Sequence, residues 1–229
     1  MLLEVCANSF QSAKNAEQSG ANRIELCQEL SVGGITPSYG LIKQVIENLK
    51  IKTFVLIRPR SGNFVYSDAE FKIMKDDIQL CKDLGCHGIV SGVLNPDNAI
   101  DLKRTQELVE LSKPLPFTFH RAFDEVSNPK EALAQLIDLG VDRVLTSGQK
   151  SSAEEGLVLL TELNKIANGR ITILAGGGIN PKNASKFKTA GIEEIHASAS
   201  IKIVKENSMF GMTQSVSDIQ TIKAILNEI

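Results

Sequence analysis

A short motif led by glycine recurs four times and constrains the fold more than any other feature of the sequence. The copies are Gly20-Ala-Asn-Arg-Ile24, Gly85-Cys-His-Gly-Ile89, Gly140-Val-Asp-Arg-Val144 and Gly191-Ile-Glu-Glu-Ile195. Each copy follows a stretch of helical period and leads into an apolar run. Glycine suits the residue after a helix because that position often requires a positive φ. The motif therefore indicates a repeated connection from helix to strand.

Eight short strand-like runs alternate with eight longer helical stretches, which favours parallel strands joined by helical crossovers. A unit of two βα pairs repeated four times closes into a barrel, so we predict an α/β fold, a (β/α)8 TIM barrel, as a single domain over residues 1–229. The alternative is an open doubly wound sheet, which would more often carry a glycine-rich loop after its first strand. Here that position is Ala7-Asn8-Ser9. The predicted strands are Leu2–Ala7, Arg23–Cys27, Thr53–Arg58, Gly88–Leu94, Phe117–Arg121, Arg143–Ser147, Ile171–Ala175 and Glu194–Ala199.

Charge and cysteine content narrow the class of partner. The chain has 229 residues, 25 basic and 27 acidic side chains, and a formal net charge of −2. Its charges form no basic stripe, so nucleic acid is not an expected partner. No apolar run reaches the roughly 20 residues that a membrane helix needs, so we expect no membrane partner. Four irregularly spaced cysteines are typical of a reducing compartment, and we predict a cytoplasmic protein with a small-molecule partner.

Strand alternation predicts which side chains point into the barrel. Glu4 and Cys6 face inward on the first strand, as do Glu25 and Cys27 on the second. A barrel built only for stability fills its centre with branched apolar residues, so ionisable groups here favour a ligand site. Because buried charge is costly, we expect the two glutamates to pair with Arg58 or with nearby donors.

Two histidines end predicted strands and face the same interior. His120 and His196 can act as general acids or bases near neutral pH, although inward histidines also serve as core residues. An enzyme at this mouth would draw its acid and base from a small set of side chains. The acid–base candidates are Glu4, Glu25, His120 and Asp124.

Glycines and arginines at the ends of strands indicate an anion site. The turn Ala175–Ile179 ends the seventh strand, next to the eighth, where barrels usually bind phosphate; a tight packed turn is the alternative. Two arginines at the end of the third strand suit a carboxylate or phosphate, although one of them could pair with Glu25 instead. The predicted anion-binding residues are Arg58, Arg60, Arg121, Gly176, Gly177, Gly178, His196 and Ser198.

Cys6 and Cys27 occupy equivalent inward positions on adjacent strands, which lie about 4.8 Å apart. Two thiols at such a spacing suit one soft ion such as Cu(I). The alternative is a pair of small buried hydrophobic side chains, which is how free cysteine usually behaves. No motif for an organic cofactor is evident, and no HExxH spacing indicates a catalytic zinc.

Six stretches together resemble the CutC family: EVCANS, GANRIELCQELSVGGITPSYGLI, IRPRSGNFVYS, PFTFHRAFDEV, RVLTSGQ and AGGGI. The resemblance implies a (β/α)8 barrel, a cytosolic homodimer and an association with copper homeostasis, with Cys6 and Cys27 as copper ligands. One departure concerns the eighth strand, which the family usually closes with a His-x-Ser-Ala-Arg run. Here Ser200 stands in place of the arginine, so a basic group is lost beside the predicted anion site. The stretch Ile201–Met212 that follows is predicted to be mobile.

Two functions stay open at this point. The first is a CutC-like protein that binds Cu(I) through Cys6 and Cys27. The second is a TIM-barrel enzyme that acts on a small phosphate- or carboxylate-bearing substrate by acid–base chemistry. The sequence names neither a substrate nor a reaction, and whether the chain is an enzyme stays undecided.

Overall fold

Eight parallel strands form a closed barrel in a computed structural model that describes residues 1–203 and 214–229. Each strand pairs with its neighbours in sequence, and β8 closes the barrel by pairing with β1. The predicted (β/α)8 TIM barrel is confirmed. The strands are β1 Leu2–Ala7, β2 Arg23–Leu26, β3 Lys52–Leu56, β4 Gly88–Ser91, β5 Phe117–Phe119, β6 Arg143–Thr146, β7 Thr172–Gly176 and β8 Glu194–Ala197.

Six of the eight helices described below begin after a residue whose side chain accepts a hydrogen bond from the first turn. Before α3, the Ser67 side chain accepts from the Glu70 N–H and the Glu70 carboxylate accepts from the Ser67 N–H, which is a capping box. Among the described residues no helix is both long enough and apolar enough to cross a membrane. The helices are α1 Phe10–Ser19, α2 Tyr39–Asn48, α3 Asp68–Asp83, α4 Leu102–Ser112, α5 Pro129–Asp138, α6 Leu157–Ala167, α7 Ala184–Thr189 and α8 Ile219–Asn227.

The repeated glycines have the backbone conformation that the sequence predicts. Gly20, Gly85, Gly140 and Gly191 have φ values of 84°, 79°, 73° and 78°. All four lie in the left-handed region, where a side chain is strained. Each glycine therefore ends a helix and turns the chain towards the next even-numbered strand.

Side chains alternate between an outer and an inner environment along the strands. Leu3 and Val5 of β1 belong to the large apolar core that contains residues of the strands and the surrounding helices. Cys6 and Cys27 belong to a separate small cluster with Phe54, Leu56 and Val90. The facing predicted for β1 and for the cysteine of the second predicted strand is therefore confirmed.

Several strands end earlier than predicted, and the polar residues at their ends belong to loops. β5 ends at Phe119 rather than at Arg121, because a 3-10 turn over Arg121–Glu125 begins there. The His120 side chain stabilises that turn, since its Nδ1 accepts from the Ala122 N–H at 3.2 Å. Arg58 likewise lies beyond the end of β3.

A two-stranded antiparallel sheet follows the barrel. It consists of β9 Ser200–Ile203 and β10 Gln214–Ser217. The Asn8 side chain donates to the Ser215 carbonyl, and the Ser217 hydroxyl donates to the Cys6 carbonyl at 3.4 Å, so β10 lies beside the carboxyl end of β1. The mobility predicted for 201–212 falls on 204–212 outside the described residues, and 201–203 are strand. That residues 1–229 form one domain stays a prediction.

Candidate functional site

A cavity of about 460 Å³ lies at the carboxyl end of the barrel strands. Apolar side chains such as Leu30, Val32, Leu56 and Phe64 form part of its lining, and polar groups form the rest. Most of the predicted site residues meet there, whereas Glu4, Cys27, Arg60 and Gly176 do not line it. The predicted residues in the lining are Cys6, Glu25, Arg58, His120, Arg121, Asp124, Gly177, Gly178, His196 and Ser198.

The two inward cysteines form a close pair of thiols. Cys6 Sγ lies 3.6 Å from Cys27 Sγ and 3.5 Å from Glu25 Oε2. The register of β1 on β2 places Cys6 opposite Glu25. The hydrogen bond with Cys27 and then burial raise the pKa of Cys6 well above its usual range. Cys6 is therefore a protonated thiol at neutral pH in the absence of a metal.

Gly34 allows the loop after β2 to pack against Cys27. A Cβ at Gly34 would lie 3.4 Å from Cys27 Cβ and 2.8 Å from Leu56 Cδ2. Gly34 also has a φ of 87°, which side chains rarely adopt. Glycine is thus required here by both space and backbone conformation, and it keeps the Cys27 thiol covered.

His196 lies between two buried carboxylates. Its Nδ1 is 2.8 Å from Glu4 Oε1 and its Nε2 is 3.7 Å from Glu25 Oε2. Burial opposes the protonation of His196, but its contacts with Cys6 and Glu4 and the charge of Glu25 raise its pKa well above the usual range. Burial alone would raise the pKa of Glu4, yet His196 and Arg23 lower it to about 2. Burial raises the pKa of Glu25.

A chain of ion pairs continues from Glu4 towards the amino end of the barrel. Arg23 pairs with Glu4, its Nη2 donates to Glu194 Oε2 at 2.7 Å, and Arg143 Nε donates to the same oxygen at 2.7 Å. Both guanidinium groups lie over the Phe54 ring. These two arginines and Glu194 are not among the site residues predicted from the sequence. Arg23 lies two residues before Glu25, and Glu194 lies two residues before His196. Extending the inward alternation of these strands would therefore have predicted that Arg23 and Glu194 also point inward.

Of the two kinds of partner predicted for Glu4 and Glu25, the nearby donors Arg23 and His196 pair with them and Arg58 does not. Arg58 Nη1 donates to the Gly34 carbonyl at 2.8 Å, and Nη2 donates to the Gly62 carbonyl at 2.8 Å. Its guanidinium therefore joins the loops after β2 and β3.

Arg60 points away from the cavity. Arg60 Nε donates to Glu70 Oε1 at 2.5 Å, and Nη2 donates to the Val65 carbonyl at 2.7 Å. The side chain thus braces the loop before α3 against that helix. Arg60 does not line the cavity, so its predicted role in anion binding stays a prediction.

Asp124 organises the loops after β5 and β6. Its carboxylate accepts from the Thr146 hydroxyl, from the Ser147 N–H at 3.0 Å and from the Arg121 Nε–H at 2.8 Å. The Arg121 Nη2 also donates to the Ser147 hydroxyl at 2.8 Å. These contacts occupy both groups structurally, so the acid–base role of Asp124 and the anion-binding role of Arg121 stay predictions.

His120 lies at the cavity wall with one nitrogen unused. Its Nδ1 accepts from the Ala122 N–H, so the proton of the neutral ring is on Nε2. Among the described residues, Nε2 is buried and has no hydrogen-bond partner. Burial and the charge of Arg58 lower the pKa of His120 to about 3, so the ring is neutral at pH 7.

The glycine turn after β7 has two functions in the packing. Gly177 and Gly178 have φ values of 113° and 75° and line the cavity. A Cβ at Gly176 would lie 2.5 Å from Leu145 Cδ1 and 3.1 Å from His196 Cβ. Gly176 therefore leaves the space that His196 occupies, while anion binding by the turn stays a prediction.

The fold and this group of side chains define a TIM barrel with a candidate metal site inside its mouth. Ligand atoms of Cys6, Glu25 and His196 all lie within 4.8 Å of one another. A model of the CutC family matches residues 1–201. The chain therefore belongs to the CutC family, which confirms the resemblance seen in the sequence.

Relatives and a solved structure agree with this assignment. The chain is 51% identical over 197 residues to a CutC family protein of Proteus mirabilis, an alignment that covers 86% of this chain and 78% of the relative. It is 50% identical over 199 residues to the human copper homeostasis protein cutC homolog, covering 86% and 73%. A crystal structure of CutC from Streptococcus agalactiae superposes with a TM-score of 0.81 at 36% identity, covering 86% of this chain and 98% of that one.

Proposed function

We propose that this protein binds Cu(I) through the thiolates of Cys6 and Cys27 and acts in copper homeostasis. The observation that carries the proposal is the 3.6 Å separation of the two sulfur atoms inside the barrel. The human relative's name, copper homeostasis protein cutC homolog, supports the same function. Copper is cargo in this proposal rather than a catalytic cofactor.

The donor atoms fit a soft monovalent ion. Thiolates select Cu(I) over harder cations. With metal–sulfur bonds of about 2.3 Å, two sulfurs on opposite sides of an ion would be roughly 4.6 Å apart. The observed 3.6 Å is shorter and favours a bent arrangement with a third donor. Glu25 and His196 both have ligand atoms near Cys6 Sγ and could supply it.

Proton release accompanies binding, because a thiol must be deprotonated to ligate a metal. Glu25 Oε2 lies 3.5 Å from Cys6 Sγ, which makes it the nearest carboxylate oxygen to receive that proton. Cu(I) with two thiolates carries a net charge of −1, and the neighbouring His196 is cationic when protonated. When His196 is not itself the third donor, its imidazolium balances the charge of the loaded site.

Access to the pair runs through the mouth cavity. Cys6 lines the cavity, whereas Cys27 is 0% exposed and lies behind it. An incoming ion would therefore meet Cys6 first and Cys27 second. This order favours transfer from a donor molecule that can reach into the mouth.

Anaerobic competition titration with a chromogenic Cu(I) chelator tests the proposal. Cys6→Ser and Cys27→Ser should each weaken Cu(I) binding by about 100-fold or more, because ligand loss exceeds the 10- to 100-fold typical of outer-shell changes. The matched control is Cys81→Ser/Cys86→Ser, which removes two other buried thiols. Unchanged affinity in both single variants would sink the proposal, and the control should bind as the wild type does.

The cytoplasmic location and the homodimer predicted from the sequence belong to the same proposal. All four cysteines are free, which supports the predicted cytoplasmic location because that compartment keeps thiols reduced. The homodimer rests on the family resemblance, and sedimentation equilibrium would check it. Acid–base catalysis on a small anionic substrate stays a prediction of the sequence.

A further inference from the structure

One wall of the mouth cavity carries a buried hydrogen-bond donor that the described residues leave unused. His120 is 4% exposed and lines the cavity. Because its Nδ1 accepts from the Ala122 N–H, its Nε2 carries the proton and needs an acceptor. Nε2 has none among residues 1–203 and 214–229. A buried donor without a partner is costly, so an acceptor from outside the chain would stabilise this wall.

The same wall carries a positive charge that no carboxylate neutralises. Arg58 is 6% exposed, and its Nη1 and Nη2 donate to neutral carbonyls, while its buried Nε has no hydrogen-bond partner among the described residues. In the described part of the chain no carboxylate oxygen lies within ion-pair distance of it. The other buried or half-buried charges of the lining are compensated, since Arg121 pairs with Asp124 and His196 lies between two glutamates.

The remaining charge of the lining does not cancel this excess. Glu125 also lines the cavity, but its side chain is exposed to water. A buried cation without a counter-ion is unfavourable, and a bound anion relieves that cost. The cavity wall therefore favours a ligand with a negative charge.

An aromatic ring joins the two groups and gives the ligand an apolar surface. The Phe64 ring lies 4.9 Å below Arg58 Cζ, and its centroid is 4.8 Å from the His120 ring centroid. Leu30 and Val32 line the same cavity. The volume of about 460 Å³ lies in the range of sites for small organic molecules.

We propose that the mouth cavity binds a small organic monocarboxylate, with one carboxylate oxygen accepting the His120 Nε2–H. Arg58 supplies the compensating charge, and the apolar part of the ligand packs against Phe64. A phosphate group is disfavoured because it carries close to two charges and no apolar surface, whereas the wall offers one uncompensated cation. Binding does not depend on copper, so it extends beyond the metal function proposed above.

Titration of the metal-free protein tests this site. The probes are benzoate, phenylacetate and 3-phenylpropanoate, with benzamide as a neutral comparison and inorganic phosphate as the alternative anion. Side-chain 15N NMR of the histidines and calorimetry report binding. We expect at least one carboxylate to bind saturably and to shift the His120 Nε2 resonance. Benzamide and phosphate should bind at least about tenfold more weakly, because they lack the charge or the apolar surface.

A matched pair of histidine variants separates ligand binding from structure. In His120→Asn, the amide oxygen can still accept from the Ala122 N–H, but the Nε2–H is lost; we expect carboxylate affinity to fall about tenfold or more. The control is His87→Asn, because His87 Nδ1 accepts from the Thr53 N–H at the same 3.2 Å and lies outside the cavity lining. The control should bind as the wild type does.

Three outcomes would overturn the proposal. They are the absence of binding by all three carboxylates, binding by phosphate alone, and wild-type carboxylate affinity in folded His120→Asn. Cys27→Ser does not alter the lining, so it should lose Cu(I) affinity and keep carboxylate binding. Failure of one function is thereby distinguishable from failure of the other.

Discussion

His120 shows how one residue combines a structural and a binding role at the end of a strand. The Nδ1 of its ring caps the 3-10 turn that follows β5, while the buried Nε2 has no partner in the described chain. The sequence placed His120 inward by strand alternation, and that placement agrees with its position in the lining. The cap could not be predicted, because it depends on the backbone turning at Arg121 instead of continuing as a strand.

Protonation of His120 should cost stability in acid. Its pKa in the folded protein is lowered from 6.5 to about 3, so between these values the unfolded chain binds a proton that the folded protein does not. Stability therefore rises with pH in this window: the contribution is present above about 6.5 and is lost as the pH falls towards 3. Urea unfolding of the wild type should show a larger loss of stability from pH 7 to pH 4 than His120→Asn. Equal losses in the two proteins would contradict the buried neutral imidazole.

Glu4 and Arg58 mark the limit of residue-level prediction. Alternation along β1 correctly turned Glu4 inward, and the cost of burying charge correctly demanded a partner. The identity of the partner depended on the register of β1 with β2 and β8, which pairs Glu4 with Arg23 and His196 across the barrel. Arg58 lies in a loop, where no periodicity constrains its direction, and it bonds to carbonyl groups instead.

At the scale of elements, the loop after β2 determines how the thiol pair is covered. Gly34 lets this loop approach Cys27. Arg58 holds the loop in place because its Nη1 donates a hydrogen bond to the Gly34 carbonyl. The loop contains two isolated antiparallel bridging residues, Gln28 and Ile35, that close its base. A sequence pattern predicts the strands on either side but not this closure, since it is a long-range contact between irregular segments.

Substitution of Gly34 should disturb the loop. Gly34→Ala places a side chain at a φ of 87° and within 2.8 Å of Leu56 Cδ2, so we expect a loss of about 1–2 kcal/mol in the free energy of unfolding and weaker Cu(I) binding. Gly40→Ala is the control, because Gly40 lies in α2 with nothing within 4 Å of the added carbon. Alanine favours helix, so this control should be neutral or stabilising. Equal stability of the two variants in urea titrations would be inconsistent with the packing described.

The strand boundaries and the β9–β10 sheet were the least predictable elements. Ile57 continues the apolar pattern past the end of β3, and His120 continues the inward alternation past the end of β5, so the sequence pattern extends these strands to Arg58 and Arg121. β9 and β10 lie beyond the last repeated glycine and pair with each other rather than with the barrel. Their position depends on side chains such as Asn8, which no repeat in the sequence marks.

At the scale of the whole molecule, the fold could be predicted because the sequence patterns that indicate it recur along the whole barrel. Four glycine-led motifs and the strand–helix alternation point to one closed parallel barrel, and an error at any single strand end leaves the topology unchanged. The contacts of the site are harder to predict than the fold, since the hydrogen-bond partner of each side chain depends on a single strand register or a single loop. The family match over residues 1–201 covers the barrel and its thiol pair, whereas most of the β9–β10 sheet and all of α8 lie beyond it.

The most direct measurement is X-ray absorption at the copper edge of Cu(I)-loaded Cys81→Ser/Cys86→Ser protein. This variant keeps the Cys6–Cys27 pair as its only thiols. We expect two sulfur neighbours at about 2.3 Å from copper, and one of them should disappear when Cys27→Ser is added. A copper shell of nitrogen and oxygen alone, or a sulfur shell unchanged by Cys27→Ser, would contradict a copper site between the two thiols.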